Sequence, residues 1–468
     1  MRCCRKLLAI AFALVFVVSL APAALAAKGA DKAETVIFKV SDKNGKNKGY
    51  WKIYDGKPYS KYEAAKAIDL TFKPQKNIKG MYFVFDKPCQ WTVTLPDGAV
   101  MNGGENGFIH EYMEFDTEVN RFELHLPAGA VLCEAYAYTA GELPANVQRW
   151  EPPCETADLL VMPTHADDEH LWFGGALPYY AGELGYQVQV VYMTNHSEES
   201  IREHERLNGL WAVGVKHYPI VPAQFTDHKK TKKYDDAVER FGYDNVLAYQ
   251  VEMLRRFKPK VVIAHDIDGE YGHGAHILNA RTLLDALPLT DDPTAFPESA
   301  AQYGTCRVQK CYLHLWKENT IVMKWNRMRL KHFGGKTAME MARTGYSFHV
   351  SQQNNFSMRE SGSWDCRKFG LAYTNVGLDT PGVSDMFEHV DWTVRETAAF
   401  VSVSDSDSGS GKTVSETDAG ADGEEGEAHT PFFRNAKTWI IVSLGAVAAL
   451  VVAVLLLRFR AVRKRIVT

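Results

Sequence analysis

Three short apolar runs, each followed by a stretch with helical spacing, constrain the fold more than any other feature of this chain. The runs lie at residues 158–163, 187–193 and 260–264, and the helical stretches lie at residues 169–184, 200–213 and 245–257. Short apolar runs that alternate with helices are typical of βαβ units, which build a mostly parallel sheet flanked by helices. The sequence therefore predicts an α/β domain with a Rossmann-like sheet over residues 154–400.

The chain before residue 145 follows a different period. Seven short segments there alternate apolar and polar residues, and turn signals such as Pro96-Asp97-Gly98 separate them. This pattern predicts an all-β sandwich of the jelly-roll type over residues 27–145, ahead of the α/β domain. The strands are expected at residues 35–40, 68–72, 81–85, 91–95, 111–115, 122–126 and 134–138.

Aromatic residues are frequent in the predicted sandwich, and they allow two interpretations. They could form a platform on which sugar rings stack, which would make residues 27–145 a carbohydrate-binding domain, or they could pack the core of the sandwich. The residues concerned are Tyr50, Trp51, Tyr54, Trp91 and Tyr112. The sequence leaves both interpretations open.

Both ends of the chain resemble membrane signals. Residues 1–26 have a basic start, an apolar run and the small-residue cleavage site Ala24-Leu25-Ala26, as in a signal peptide. Residues 438–457 carry no charge and are long enough to cross a bilayer, and the basic tail at residues 458–468 follows at once. Because basic segments stay on the cytoplasmic side, we expect a single-pass cell-membrane protein with an extracellular ectodomain and a cytoplasmic C-terminus.

Residues 401–430 are predicted to be a disordered linker between the ectodomain and the membrane. They are rich in Ser, Gly, Asp and Glu and contain no aromatic residue. Such a segment cannot bury enough apolar surface to fold, and its like charges keep it extended.

The net charge of the chain is -4, so its composition does not indicate a nucleic-acid partner. Motifs for nucleotide binding and serine hydrolysis are absent from the sequence. Six cysteines remain after the signal peptide, and an even number outside the cell allows up to three disulfides whose pairing the sequence does not decide. They are Cys89, Cys133, Cys154, Cys306, Cys311 and Cys366, of which Cys306 and Cys311 are close enough in sequence for a small disulfide.

Two clusters of His and carboxylate residues follow the first and third apolar runs. The first contains His165, Asp167 and Asp168, and the second contains His273 and His276. Since the carboxyl ends of parallel strands meet at one edge of a sheet, both clusters are expected at one site. Two His and one carboxylate are a common ligand set for catalytic zinc, which would leave Asp167 and one of the histidines for proton transfer.

Other residues near these clusters suit structural roles. Asp268 and Glu270 are interpreted as shaping the loop, and Trp172 and Tyr271 as packing or rim residues. No catalytic role is assigned to Asp227.

The two clusters resemble the signature of a known family. The segment 164–169 with Gly174-Gly175 is similar to the HPDDE-xxxx-GG motif of the LmbE-like/PIG-L zinc-dependent de-N-acetylases, and Gly272-His273-Gly274-Ala275-His276 resembles their GHxDH element. Residues 202–215 resemble the RxxE helix that ends in LGV, and residues 349–352 resemble a late HxSQ motif. Order and spacing agree over about residues 157–287.

The resemblance implies a ligand set and a reaction. It implies that His165, Asp168 and His276 hold one Zn²⁺ per chain, that Asp167 is the general base and that His273 stabilises or protonates the reacting amide. It also implies that Arg202 contacts the substrate. The expected enzyme is a membrane-anchored extracellular hydrolase that uses a metal-activated water to remove the acetyl group from N-acetylglucosamine-type sugars, releasing acetate and a free amine.

Three positions depart from the family pattern. Ala166 replaces a proline, which should be tolerated, and Ala275 replaces an aspartate that could orient His273. Residues 194–196 differ from the usual acidic, glycine-rich turn. An alternative function therefore stays open, a non-catalytic surface protein that binds glycans through a decayed deacetylase domain.

Overall fold

The computed structural model describes residues 31–46, 48–227 and 231–393. The predicted signal peptide, acidic linker, membrane span and basic tail lie outside these residues. Within the described part of the chain, no helix combines the length and the apolar character needed to cross a membrane.

The N-terminal part is a sandwich of two antiparallel sheets. One sheet has the order β1-β10-β5-β8, with β3 also paired to β10, and the other has the order β2-β4-β9-β6-β7. The strands are β1 Thr35–Val36, β2 Phe38–Asp42, β3 Tyr62–Glu63, β4 Ile68–Pro74, β5 Ile78–Phe85, β6 Trp91–Thr94, β7 Val100–Gly103, β8 His110–Val119, β9 Phe122–Leu126 and β10 Val131–Tyr138.

Alternating side chains of the two sheets meet in one aromatic core. In β9, Phe122, Leu124 and Leu126 point inward while the residues between them are exposed. Phe72 of β4 stacks on Phe122 with ring centroids 4.8 Å apart and meets Phe83 of the other sheet at 6.2 Å. The strand predicted at residues 35–40 is divided at Ile37, because its two halves pair with different sheets.

The rest of the described chain forms a six-stranded sheet of the order β12-β11-β13-β14-β16-β15. The first four of these strands run parallel, and β16 and β15 are antiparallel additions at one edge. The strands are β11 Leu159–Val161, β12 Val188–Val190, β13 Val261–Ala264, β14 Lys310–His314, β15 Thr320–Val322 and β16 Lys368–Thr374. The α-helices are α1 Asp168–Leu171, α2 Ile201–Ala212, α3 Tyr234–Phe241, α4 Tyr243–Phe257, α5 Gly274–Ala286, α6 Pro297–Tyr303 and α7 Ala338–Tyr346.

Every residue of β11, β12, β13 and β14 is buried, as expected for parallel strands with helices on both faces. The predicted α/β domain with its preceding sandwich is therefore present. The carboxyl ends of these four strands lie at one edge, so the segments after Val161, Val190, Ala264 and His314 are neighbours.

The helix predicted at residues 169–184 is wrong as one continuous element. The structure has the short helix α1 and then a π-helix at Pro178–Glu183, with Gly174 in the left-handed region at φ 51°. A Cβ on Gly174 would lie 2.8 Å from the carbonyl oxygen of Cys366, and one on Gly175 would lie 2.7 Å from the Trp325 ring. Close packing of the backbone against these residues therefore interrupts the helix.

The structure contains no disulfide among the described residues, so the small disulfide that the sequence spacing allows between Cys306 and Cys311 is not formed. Cys311 is buried in β14, and the Cys306 thiol donates to the carbonyl of Leu254 at 3.3 Å. Apolar packing surrounds Cys311, and burial raises the pKa of its thiol.

Candidate metal centre and its surroundings

The loop between β11 and α1 carries the first cluster and is held in a strained conformation. Asp167 lies in the left-handed region at φ 119°, which is unfavourable for a residue with a Cβ. Its backbone N–H donates to Glu169 Oε2 at 2.9 Å, and its carbonyl accepts from Leu171 N at 3.0 Å. These bonds fix Asp167 at the start of α1.

The structure brings the three predicted metal ligands together in a nearly equilateral triangle. His165 Nδ1 lies 3.2 Å from Asp168 Oδ2 and 3.1 Å from His276 Nε2, and the last two atoms are 3.3 Å apart. Ligands about 2.0–2.1 Å from a tetrahedral zinc ion are separated by roughly 3.3–3.4 Å. The donor set and its spacing therefore fit one divalent metal ion of this type.

His273 lies close to the same centre. One ring nitrogen each of His165, His273 and His276 falls within 4.8 Å of the others. Burial and then the neighbouring His276 lower the pKa of His273 to about 2, so its imidazole is neutral. Its buried Nδ1 has no hydrogen-bond partner among the described residues, and the buried Ala275 stands where the related motif has an aspartate.

Glu270 holds three histidines in place behind the predicted ligands. The sequence did not reveal this role. This fully buried carboxylate accepts hydrogen bonds from Nδ1 of His265 at 2.7 Å, of His276 at 2.8 Å and of His314 at 2.7 Å. Burial would raise the pKa of Glu270, but His265 and these hydrogen bonds hold it well below its ordinary value. The bond to His276 directs Nε2 toward Asp168, as outer partners of metal ligands commonly do.

His265 follows β13 and brings a ring nitrogen near Asp168 and His276, but that nitrogen has another partner. Its Nε2 lies 3.4 Å from Asp168 Oδ2, yet it accepts a hydrogen bond from the backbone N–H of Thr164 at 3.0 Å. Since its Nδ1 donates to Glu270, the lone pair on Nε2 is already used. His265 therefore supports the loop that carries His165.

Trp172, interpreted from the sequence as packing or rim, is buried and touches a predicted ligand. Its indole N–H donates to Asp168 Oδ1 at 2.8 Å. Because Oδ1 is occupied in this way, Oδ2 is the oxygen that faces His165 and His276. Tyr271 does lie at the rim, 38% exposed and stacked on Phe356 with ring centroids 4.8 Å apart.

Asp167 has a strongly perturbed environment beside this centre. Burial and the adjacent Asp168 raise the pKa of Asp167, while Arg202 opposes the shift. Arg202 Nη2 donates to the carbonyl of Ala166 at 2.6 Å and lies 3.4 Å from Asp167 Oδ1. The predicted substrate contact is thus itself buried and positions Asp167.

Glu169 and His349 support Asp167 from the opposite direction. His349 Nε2 lies 3.0 Å from Glu169 Oε1, and the other oxygen of Glu169 accepts from the backbone of Asp167. The segment 349–352, which the sequence connected only weakly to the motif, is therefore packed against the site.

His196, which follows β12, and Asp227, which follows α2, also lie beside the candidate metal centre. The sequence did not predict a role there for either residue. Asp227 Oδ1 lies 3.5 Å from His165 Nε2, and its other oxygen lies 3.7 Å from Arg202 Nη1. His196, in the segment that departs from the family pattern, accepts from the backbone N–H of Ala166 at 3.0 Å. Asp227 therefore faces His165 from outside the triangle.

A cavity of about 1190 Å³ lies away from this centre. It is at the junction of the sandwich and the C-terminal end of α2, lined by residues such as Tyr112, Arg149 and Trp211. None of the triangle residues lines it.

The segment that carries the candidate site is similar to known proteins. Residues 159–287 match the family model described as PIG-L, GlcNAc-PI de-N-acetylase, so the resemblance seen in the sequence is confirmed over this part. The chain is 26% identical over 189 residues to 1D-myo-inositol 2-acetamido-2-deoxy-alpha-D-glucopyranoside deacetylase 1 of Catenulispora acidiphila, covering 33% of this chain and 56% of the relative. It is 29% identical over 173 residues to the corresponding deacetylase 2 of Saccharopolyspora erythraea, covering 32% and 63%.

The chain thus spans less than two thirds of the length of these relatives. Among solved structures, the N,N'-diacetylchitobiose deacetylase from Pyrococcus horikoshii shares 17% identity at a TM-score of 0.31, covering 43% of this chain and 72% of that chain.

Proposed function

We propose that this chain, which carries a PIG-L domain at residues 159–287, is a metal-dependent hydrolase that removes the acetyl group from N-acetylglucosamine-type sugars. The observation that carries the proposal is the triangle of His165, Asp168 and His276, with edges of 3.1–3.3 Å, directly beside the buried Asp167. The relatives' names, which describe deacetylases of an N-acetylated glucosamine unit, support the substrate class.

His165, Asp168 and His276 would hold one zinc ion. When bound, zinc supplies Lewis-acid polarisation of an amide carbonyl and lowers the pKa of a water molecule. Glu270 and Trp172 keep the ligand atoms of His276 and Asp168 aimed at a common point.

Asp167 acts as the general base. Its raised pKa lets it hold the proton taken from the attacking water, and Arg202 keeps its carboxylate in place. The neutral His273 can donate one N–H to the oxygen on which negative charge develops, so oxyanion stabilisation suits it better than proton donation. Transfer of the proton held by Asp167 to the amide nitrogen then breaks the C–N bond and releases acetate and a free amine.

A second candidate function is a surface protein that binds glycans without turning them over. The specific observation in its favour is Ala275, because the buried Nδ1 of His273 lacks the carboxylate that the related motif would provide. The intact triangle and Asp167 favour the enzyme.

The proposal includes the cellular setting. Residues 1–26 direct secretion, and residues 438–457 anchor the protein in the cell membrane with the basic tail in the cytoplasm. The substrate is then an N-acetylated sugar or glycan outside the cell.

The experiment is acetate release by the full-length protein from N-acetylglucosamine and its oligomers. We expect activity that disappears with a chelator, returns with zinc and is reduced by orders of magnitude in Asp167→Asn. Absence of acetate from every sugar, with zinc bound at one ion per chain, would support the glycan-binding alternative. Absence of both acetate and bound zinc would refute the metal centre.

A further inference from the structure

The sandwich leaves three aromatic rings in solvent, and they lie within nine residues of one another. Among the described residues before residue 145, the aromatic side chains exposed by more than a third are Trp51 at 52%, Tyr54 at 39% and Tyr59 at 68%. We call these three residues the aromatic patch. Tyr50 and Trp91, which the sequence could not separate from them, are each 1% exposed and belong to the core.

The backbone under the aromatic patch is fixed although its rings are exposed. The patch begins in a 3-10 helix at Tyr50–Tyr54, whose Tyr50 ring packs edge-on against Tyr62 with centroids 4.9 Å apart. Tyr54 packs edge-on against Phe38 at 5.5 Å. The following turn is closed by a hydrogen bond from Ser60 N to Lys57 O at 2.7 Å. The Tyr54 ring, held by Phe38, loses little conformational entropy when a ligand stacks on it.

The aromatic patch is tethered to the helix that borders the metal centre. Lys61 Nζ donates to Asp86 Oδ1 at 2.5 Å and to Ser200 Oγ at 2.9 Å, and Ser200 directly precedes α2. Two residues later, Arg202 positions Asp167. Tyr59 is only two residues from Lys61, so their Cα atoms are at most about 7 Å apart.

A second buried contact holds the sandwich and α2 together. His110 Nε2 lies 2.8 Å from His204 Nδ1, and Tyr82 hydroxyl lies 3.0 Å from the other nitrogen of His110. All three side chains are buried. The sandwich is therefore packed against the PIG-L domain at α2, and the aromatic patch keeps a constant position relative to Asp167.

We infer that the aromatic patch is a glycan subsite that binds neighbouring units of an oligomeric or polymeric substrate while one N-acetylated unit occupies the metal centre. The inference rests on the proposed function and specifies its substrate as a chain of sugars rather than a single sugar. The exposed side chains of the patch are aromatic rather than aliphatic. The electron-rich faces of aromatic rings suit the C–H faces of sugar rings. Lys57 and Glu63, which are exposed in the same stretch of sequence, offer polar groups for sugar hydroxyls.

The test compares the hexamer of N-acetylglucosamine with the monosaccharide, using the full-length protein. In the double variant Trp51→Ala and Tyr59→Ala, we expect KM for the hexamer to rise about tenfold, because two ring contacts with the sugar chain are lost. The kcat/KM for the monosaccharide should stay unchanged. Trp392→Ala, at a tryptophan that is 44% exposed outside the patch, is the matched control and should leave both substrates unaffected.

A ring-preserving variant separates stacking from folding. Trp51→Phe with Tyr59→Phe should keep KM for the hexamer close to that of the wild type, and thermal unfolding should show that all variants are folded. An unchanged KM for the hexamer in the alanine double variant would refute the subsite while leaving the proposed function intact.

Direct binding distinguishes failure of the subsite from failure of the proposed function. Calorimetric titration of Asp167→Asn with the hexamer should show binding that the two alanine substitutions weaken about tenfold. If the wild type releases no acetate but this titration behaves as expected, the subsite stands and the deacetylase function fails. If neither the wild type nor Asp167→Asn binds the hexamer, the subsite is refuted.

Discussion

Glu270 accepts a hydrogen bond at 2.8 Å from Nδ1 of His276, and this bond determines which nitrogen of His276 faces Asp168. The same carboxylate accepts hydrogen bonds from His265, directly after β13, and from His314, at the end of β14. One buried charge thus ties together three segments at the carboxyl edge of the sheet. Loss of that charge should weaken metal binding without removing any ligand.

Glu270→Gln should lower the affinity for zinc by about 10–100-fold, because an amide cannot accept from all three imidazoles and His276 loses its orientation. Competition with a coloured chelator measures this affinity. Asp268→Asn changes an exposed carboxylate in the same loop and should leave the affinity unchanged. Equal affinities in Glu270→Gln and the wild type would contradict the assigned role.

His165→Ala and Asp167→Asn should separate metal binding from proton transfer. The first variant lacks one of the three predicted metal ligands, so we expect it to purify without zinc. The second keeps all three ligand atoms and should retain one zinc ion per chain while turnover falls by orders of magnitude. Metal content by elemental analysis decides the point, and loss of zinc from Asp167→Asn would mean that the roles of Asp167 and Asp168 are exchanged.

Asp379→Asn should destabilise the α/β domain by about 3–5 kcal/mol, because it leaves the charge of Lys310 buried without its partner. The Lys310 side chain has no exposed surface, and its ammonium contacts Asp379 and the carbonyl of Glu388 at 2.8 Å. Denaturant unfolding measures the loss. Glu34→Gln breaks an ion pair whose two side chains are more than 60% exposed and should not move the unfolding midpoint.

Stability should fall with rising pH because of Glu134, which is 2% exposed in β10. Burial raises the pKa of Glu134 from its ordinary value of 4.5 to about 7. The folded protein therefore keeps this proton longer than the unfolded chain, and folding loses free energy between these two pH values, on the order of 3 kcal/mol.

Glu134→Gln should remove this component of the pH dependence. Unfolding free energies at pH 5 and pH 8 should differ less in the variant than in the wild type. Glu123→Gln, at a side chain that is 49% exposed, serves as the control and should keep the wild-type difference. An identical pH dependence in Glu134→Gln and the wild type would show that Glu134 ionises normally.

The layers of the fold were predictable because they depend on local periodicity. The alternation in Phe122–Leu126 and the short buried runs Leu159–Val161 and Val261–Ala264 each repeat at the period of the element that they form. The interruption of the helix predicted at residues 169–184 was not predictable, since the packing of Gly174 against Cys366 depends on residues far apart in the chain. The sequence left open whether Cys306 and Cys311 form a disulfide, because sequence spacing does not give the positions of the thiols.

The sequence by itself determined the order of the layers and the place of the candidate site, because His165, Asp167, Asp168, His273 and His276 follow recognisable strand ends. Only the tertiary structure decided what surrounds them. Glu270 and Asp227 acquire their roles because segments distant in sequence meet at one edge of the sheet. The same is true of the aromatic patch, since burial of Tyr50 and exposure of Trp51 depend on packing that adjacent residues of one type do not encode.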